Sequence, residues 1–335
     1  MDGQRDSRGS QVSSAPILIV DALNLFTRHF IANPAMVSTG YRAGEPAGGI
    51  VGFLNSLRWL IDTQHPSRVV VVWESGGSAR KRNLFKEYKA HRRPQKLNRY
   101  YEDDIPDTTE NRNWQVATIV ALLRFVGINQ VYVQDCEADD VIGYICRYKF
   151  PGRRKVILSS DKDFYQLLDK DTRVYNPMGK RYVLPEDVFE RFGIKPHNFC
   201  TAKALCGDPS DNIPGIKGVG FKTLAKRFPQ LASEDDVSVR DIIADAQSRI
   251  DPKGKGPKIY QRIVDGEEIL LRNWKLMYLD TQNLSGNQIK RIEHAIDNFS
   301  PVRDKMGLMR KLVKEGISSF DADRFFTVCR TYLRD

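Results

Sequence analysis

Four short, mostly β-branched runs limit what this chain can fold into: Ile17 to Val20, Arg68 to Trp73, Gln130 to Val133 and Val156 to Ser159. Each is too apolar for a solvated strand and reads as a strand buried on both faces. Helical periodicity fills the gaps between them, at Gly48 to Asp62 and Asn113 to Phe125. Strands alternating with helices predict an α/β core, a mostly parallel central sheet flanked by crossover helices. Arg173 to Val183 reads as a hairpin or two edge strands, and helical patterning resumes at Pro185-Glu186-Asp187, a helix-start signal.

A chain of 335 residues exceeds what one apolar core usually holds, so an accessory lobe is expected. The predicted division is a disordered leader over 1–15, the α/β core over 16–184, a helical lobe over 185–300 and a C-terminal helical segment over 301–335. Residues 78–112 form a polar insertion in the core, whose first half carries nine Lys or Arg against the single acid Glu87. Phe199 to Leu205 and Phe221 to Phe228 read as helices around a loop, Gly207 to Thr223, rich in Gly, Pro, Asp and Asn. Asp251 to Pro257 reads as a flexible basic loop, and the last segment as packing helix.

The formal net charge of +10 favours a polyanionic partner, because clustered Lys and Arg release counterions from phosphate. The five cysteines are odd in number and form no C-x-x-C pair, which argues against a disulfide framework or zinc knuckle and for a reducing compartment. Any metal must be held mainly by oxygen. No apolar run approaches the ~20 residues of a membrane span, and 1–14 lack the core of a signal peptide, so a cytoplasmic protein is expected.

The carboxylates carry the functional reading. Asp21 and Glu74 directly follow the first two strands, and Asp161 and Asp163 follow the fourth. Glu137, Asp139 and Asp140 open the helix after the third. In an open parallel sheet all of these sit at the carboxyl edge, where ligand sites form. Singly, such acids are common helix caps. Gathered together they raise one another's pKa and repel unless a cation intervenes. Hard oxygen ligands without nearby His or Cys point to Mg²⁺, with Mn²⁺ able to substitute. Two ions would clamp both oxygens of a phosphoryl displacement, which implies phosphodiester hydrolysis.

Five motifs, in order, resemble the 5′ nuclease family of flap endonucleases, bacteriophage 5′ exonucleases and the 5′ nuclease domains of bacterial DNA polymerases. They are Ile19-Val20-Asp21-Ala22-Leu23-Asn24, Tyr88-Lys89-Ala90-His91-Arg92, Glu137-Ala138-Asp139-Asp140, Ser160-Asp161-Lys162-Asp163 and Gly207-Asp208-Pro209-Ser210-Asp211-Asn212-Ile213-Pro214-Gly215. The likeness runs from Ile17 to Leu224. It implies a PIN-like core with a helical arch at 78–112 and a helix-three-turn-helix lobe. By resemblance, Asp21, Glu74, Glu137, Asp139 and Asp140 form one metal cluster, and Asp161, Asp163, Asp208 and Asp211 complete a second. Position 74 departs from the family, which usually has Asp there. The extra methylene lets its carboxylate reach a metal directly rather than through water.

The resemblance further implies that Lys89 and Arg92 contact the scissile phosphate and that Tyr88 stacks on a base. Gly215, Gly218 and Gly220 match the family's helix-hairpin-helix, where backbone amides approach a duplex phosphate, often with a K⁺ ion between. Lys203 and Lys222 match lysines beside duplex phosphates. A P-loop is the rival reading of Gly215-x₄-Gly220, but Phe221 stands where that motif needs Lys, and the loop follows a helix.

The expected activity is a two-metal, structure-specific 5′-3′ exonuclease and flap endonuclease, acting in primer removal, replication or repair. Its expected partners are DNA flaps, nicks and junctions, including those carrying RNA primers, and it is expected to be a stand-alone, monomeric, bacteriophage-type or small bacterial enzyme. The alternatives are a catalytically silent DNA-junction binding protein and a PIN-like RNA nuclease.

Overall fold

The structure is a computed structural model, and it describes residues 15–33, 36–74, 76–91, 108–253 and 256–334. The disordered-leader expectation and Arg92 lie outside the described residues, apart from Ala15 in the leader. In chain order the core contains β1 (Ile17–Asp21), α1 (Ala22–Ala32), α2 (Gly48–Gln64), β2 (Arg68–Trp73), α3 (Ala79–Leu84) and α4 (Thr108–Arg124). It continues with β3 (Asn129–Tyr132), α5 (Ala138–Tyr148), β4 (Lys155–Leu158), a 3₁₀ turn (Lys162–Leu167), β5 (Thr172–Asn176) and β6 (Arg181–Val183).

Among the described residues, six strands form one sheet in the order β3-β2-β1-β4-β5-β6. The first five are mutually parallel, and β6 closes the far edge antiparallel to β5. From β1 the chain builds outward through β2 and β3, then returns to add β4 and β5 on the other side. That reversal is a topological switch point, and it opens a crevice at the carboxyl ends of β1 and β4. Asp21 ends β1 and pairs in register with Val72, so the acid of the first motif stands at that crevice.

Alternation within the strands explains why they are apolar throughout. Leu18, Val20, Val69, Val71 and Trp73 face one apolar cluster with α1, α2 and α4, while Ile17, Ile19, Val70 and Val72 face another with α5. The sequence reading passed over α1, which Asp21 caps by accepting a hydrogen bond from the Asn24 amide at 3.3 Å.

The helical region contains α6 (Pro185–Phe192), α7 (Phe199–Cys206), β7 (Gly207–Asp208), β8 (Ile213–Pro214), α8 (Phe221–Arg227), α9 (Val239–Ser248), α10 (Lys258–Asp265) and α11 (Glu267–Met277). A third apolar cluster holds much of it together, from Ile194 to Met277. The chain then returns to the sheet. In α12 (Gly286–Asp297), Ile292 and Ile296 pack into the α5 cluster, as do Leu279 and Leu284 before it. The apolar positions of this stretch, expected within the helical lobe over 185–300, thus cover β3 and the α5 cluster. In α13 (Lys305–Glu315) and α14 (Ala322–Tyr332), Leu308, Leu312, Phe325 and Val328 join the α1–α2 cluster. No helix among the described residues is long and apolar enough to cross a membrane. The described cysteines are all free thiols.

Candidate active site

The start of α5 brings the densest acidic group together. Glu137 is its N-cap, and Asp139 and Asp140 lie in its first turn, where the helix dipole favours negative charge. Glu137, Asp139 and Asp140 each offer a carboxylate oxygen within 4.8 Å of the others. Two lysines of the insertion enter this group. Lys81 Nζ lies 2.9 Å from Glu137 Oε2, 2.8 Å from Asp140 Oδ2 and 3.5 Å from Asp139 Oδ1. Lys89 Nζ lies 2.5 Å from Glu137 Oε1 and 3.8 Å from Asp211 Oδ2, which links the loop after α7 to α5. The Lys89 amide also donates to the Asp211 carbonyl at 2.9 Å, so backbone and side chain fix the same pairing.

The remaining acids connect through short relays. Ser159 donates to Asp21 Oδ2 at 2.9 Å, and the same hydroxyl accepts from the Asp161 amide at 3.1 Å. Asp161 caps the 3₁₀ turn and orients Asp163. Lys203 then bridges Asp163 and Asp208, standing 2.7 Å from the latter. Carboxylates from the ends of β1 and β4, the start of α5 and the loop after α7 are thus knit by Ser159, Lys89 and Lys203.

Charge balance shows what the pocket lacks. Burial, with the charges of Asp161 and Asp139 adding to it, pushes Asp21 up to about 7 against the Ser159 hydrogen bond. Burial also pushes Asp140 up to about 7, against the pull of Lys81. Glu137 goes the other way: burial opposes ionisation, but Lys81 and Lys89 draw it down to about 2. Burial disfavours the Lys81 ammonium, yet Asp139, Asp140 and Glu137 outweigh it and hold its pKa well above the ordinary value. Among the described residues, Asp140 Oδ1 is buried with no hydrogen-bond donor, and Oδ2 meets Lys81 as an ion pair at 2.8 Å. A buried carboxylate with one unmet oxygen, beside two more carboxylates, is a donor set that suits a hard divalent cation.

Three expected residues have surroundings that the sequence did not show. Tyr88 is buried, 5 % exposed, and its hydroxyl donates to Glu137 Oε2 at 2.7 Å, so its ring is packed rather than displayed to a base. Lys203 is buried on Asp163 and Asp208 rather than presented to a duplex, because the paired acids hold its ammonium inward. Glu74 is half-buried directly after β2 and lines a cleft with Trp73 and Leu23. Sequence reasoning missed Lys81, which it left among solvated arch charges. The available signal was its position three residues into a helix capped by Ser78, one turn from an apolar Leu84.

The loop after α7 owes its shape to close backbone approach. Gly207 has φ +75°, and a Cβ there would meet the Gly215 amide; a Cβ on Gly215 would meet the Cys206 carbonyl at 2.1 Å. Gly218 also needs a positive φ, of +83°, whereas Gly220, the N-cap of α8, has open space around it. Lys222 is exposed on α8.

Residues 16–193 match the family described as the 5′-3′ exonuclease, N-terminal resolvase-like domain. The chain is 30 % identical over 222 residues to a 5′-3′ exonuclease of Aquifex aeolicus, covering 66 % of this chain and 71 % of that one. It is 31 % identical over 222 residues to the thermostable DNA polymerase I of Thermus thermophilus, again over 66 % of this chain but only 25 % of the polymerase. Among solved structures, a bacteriophage T5 5′-exonuclease with bound divalent metal ions superposes with a TM-score of 0.59 at 19 % identity, covering 95 % of this chain and 99 % of that one, a likeness of fold. The match over more than half the chain, together with the acids gathered at the switch point, places this protein in the 5′-3′ exonuclease family.

Proposed function

We propose that the protein is a metal-dependent 5′-3′ exonuclease and flap endonuclease that hydrolyses DNA phosphodiesters near single-strand to duplex junctions, in primer removal, replication or repair. One observation carries the reading: Glu137, Asp139 and Asp140 converge in a buried pocket where two lysines only partly compensate them. Asp21, Glu137, Asp139 and Asp140 would hold one Mg²⁺, and Asp161, Asp163, Asp208 and Asp211 a second, with Glu74 joining the first. Bound there, the ions supply Lewis-acid stabilisation and lower the pKa of the attacking water.

The chain's own groups do the rest. Ser159 orients Asp21 and Asp161 toward the crevice. When the acids are engaged by cations, Lys89 and Lys203 are released from internal pairing and can face phosphate, the direction the resemblance gives them. Arg92 is proposed to act with Lys89. Gly215, Gly218, Gly220 and Lys222 are proposed to hold the duplex backbone, with K⁺ as a candidate ion there.

The test is product mapping on a 5′-labelled double flap beside a blunt duplex and an RNA flap of the same sequence, with and without Mg²⁺. A short labelled product released from the DNA flap, only with metal, is the expected result. Preference for the RNA flap would replace this reading with an RNA nuclease. Flap binding without cutting, identical in wild type and Asp161→Asn, would leave a silent junction binder.

A further inference from the structure

A cleft of about 820 Å³ runs beside the edge strand β3, lined by none of Glu137, Asp139 and Asp140. Its floor is Trp73, Glu74 and Tyr132 at the carboxyl ends of β2 and β3, and one wall is the outer face of α4. That face contributes Arg112, Val116, Val120 and Arg124, of which Val116 and Val120 are half-buried at the margin of the core that Ile119, Leu122 and Leu123 fill. Phe299 and Val302 close the far end. The volume falls in the range of small-ligand sites, ~300 to 1,000 Å³. Arg112 and Arg124 lie twelve positions apart on one helix, a span of about 18 Å. The shape is therefore a track rather than a pit.

Three features select its occupant. The lining is mostly apolar and aromatic, with Tyr132 59 % exposed and Val302 61 % exposed, surfaces on which unpaired bases can lie. Two guanidinium groups, Arg112 and Arg124, border it and match a chain of phosphates. Leu23 and Glu74 place one end at the carboxyl edge, next to Asp21, so the track continues from the acidic pocket. We propose that this cleft is a single-strand track: it takes unpaired nucleotides of the substrate strand beyond the reacting phosphate, with phosphates on Arg112 and Arg124 and bases against Tyr132, Phe299 and the Val116–Val120 face.

The proposal rests on the nuclease reading and adds a substrate-length dependence to it. It is tested with the full chain by replacing surface groups of the track, Arg124→Glu and Tyr132→Ala, each confirmed folded by its melting curve. Cleavage is compared on a flap of one nucleotide and on a long single-stranded flap, and binding of fluorescent oligo-dT is followed by anisotropy without divalent metal. In each variant the ratio of long-flap to one-nucleotide-flap cleavage should fall about tenfold, with a matching loss of oligo-dT affinity. An unchanged ratio with unchanged oligo-dT binding overturns the track. If wild type cuts neither flap, the nuclease reading fails instead, and oligo-dT binding alone then judges the cleft.

Discussion

The ammonium of Lys81 lies 2.8 Å from Asp140 Oδ2, and both side chains are closed off from solvent. An insertion that looks like a solvated arch thus plants a cation among the acids of α5. In the metal-free protein, Lys81 supplies part of the charge that a divalent ion would bring.

Removing that ammonium leaves buried acids uncompensated. Lys81→Met should lower the stability of the metal-free protein by about 3 to 5 kcal/mol, the usual cost of breaking a buried pair from one side. Denaturant unfolding in a chelator checks this. Excess Mg²⁺ should return part of the loss, since it can neutralise the same acids; a change below about 1 kcal/mol would mean that Lys81 is not compensating them.

The raised acids make a second expectation, about pH. Asp21 and Asp140 titrate near 7 when folded and near 3.8 when unfolded, so between those values the folded state keeps protons that the unfolded state has lost. Their contribution is fully present below 3.8 and disappears as pH rises through 7. The melting temperature of the metal-free protein should therefore fall as pH rises from 3.8 toward 7 and level off above it, and Asp21→Asn should flatten the slope. Glu137 acts with the opposite sign in a separate window: its folded value of about 2 adds stability above its ordinary 4.5, lost as pH falls further. Because divalent ions must displace the protons on Asp21 and Asp140, metal binding should tighten over the same rise through 7. Metal affinity that is flat from about pH 6 to about pH 8 would contradict this assignment.

Tyr88 separates two roles for one residue. Its hydroxyl donates to Glu137 Oε2 at 2.7 Å in a buried setting, whereas a base-stacking role needs only the ring. Tyr88→Phe keeps the ring and removes the donor. It should cost about 1.5 to 3 kcal/mol of metal-free stability and alter Mg²⁺ affinity. Full stability with unchanged metal affinity would return the residue to stacking alone.

What the sequence made legible follows from how local each cause is. The strands β1, β2, β3 and β4 were readable within a residue at each end, because burial on both faces imposes unbroken apolar runs. The places of Asp21, Glu137 and Asp161 at the sheet's carboxyl edge were readable because each ends or closely follows a strand or opens the next helix. Partners set by chain return were not legible. Lys81 meets Glu137 across 56 residues, and α12 covers β3 across more than 150. The inward turn of Lys203 was likewise hidden, since its direction depends on Asp163 and Asp208 rather than on α7 itself.

The most direct measurement is cleavage of a 5′-labelled flap by the chelated protein as Mg²⁺ is added back, beside Asp161→Asn under the same conditions. The expected result is no cutting in chelator, a rise with Mg²⁺ in the wild type, and loss of at least a hundredfold in the variant, roughly 2.7 kcal/mol or more. Equal cutting with and without metal, or a variant as active as the wild type, would contradict the claim that these acids gather to hold divalent ions.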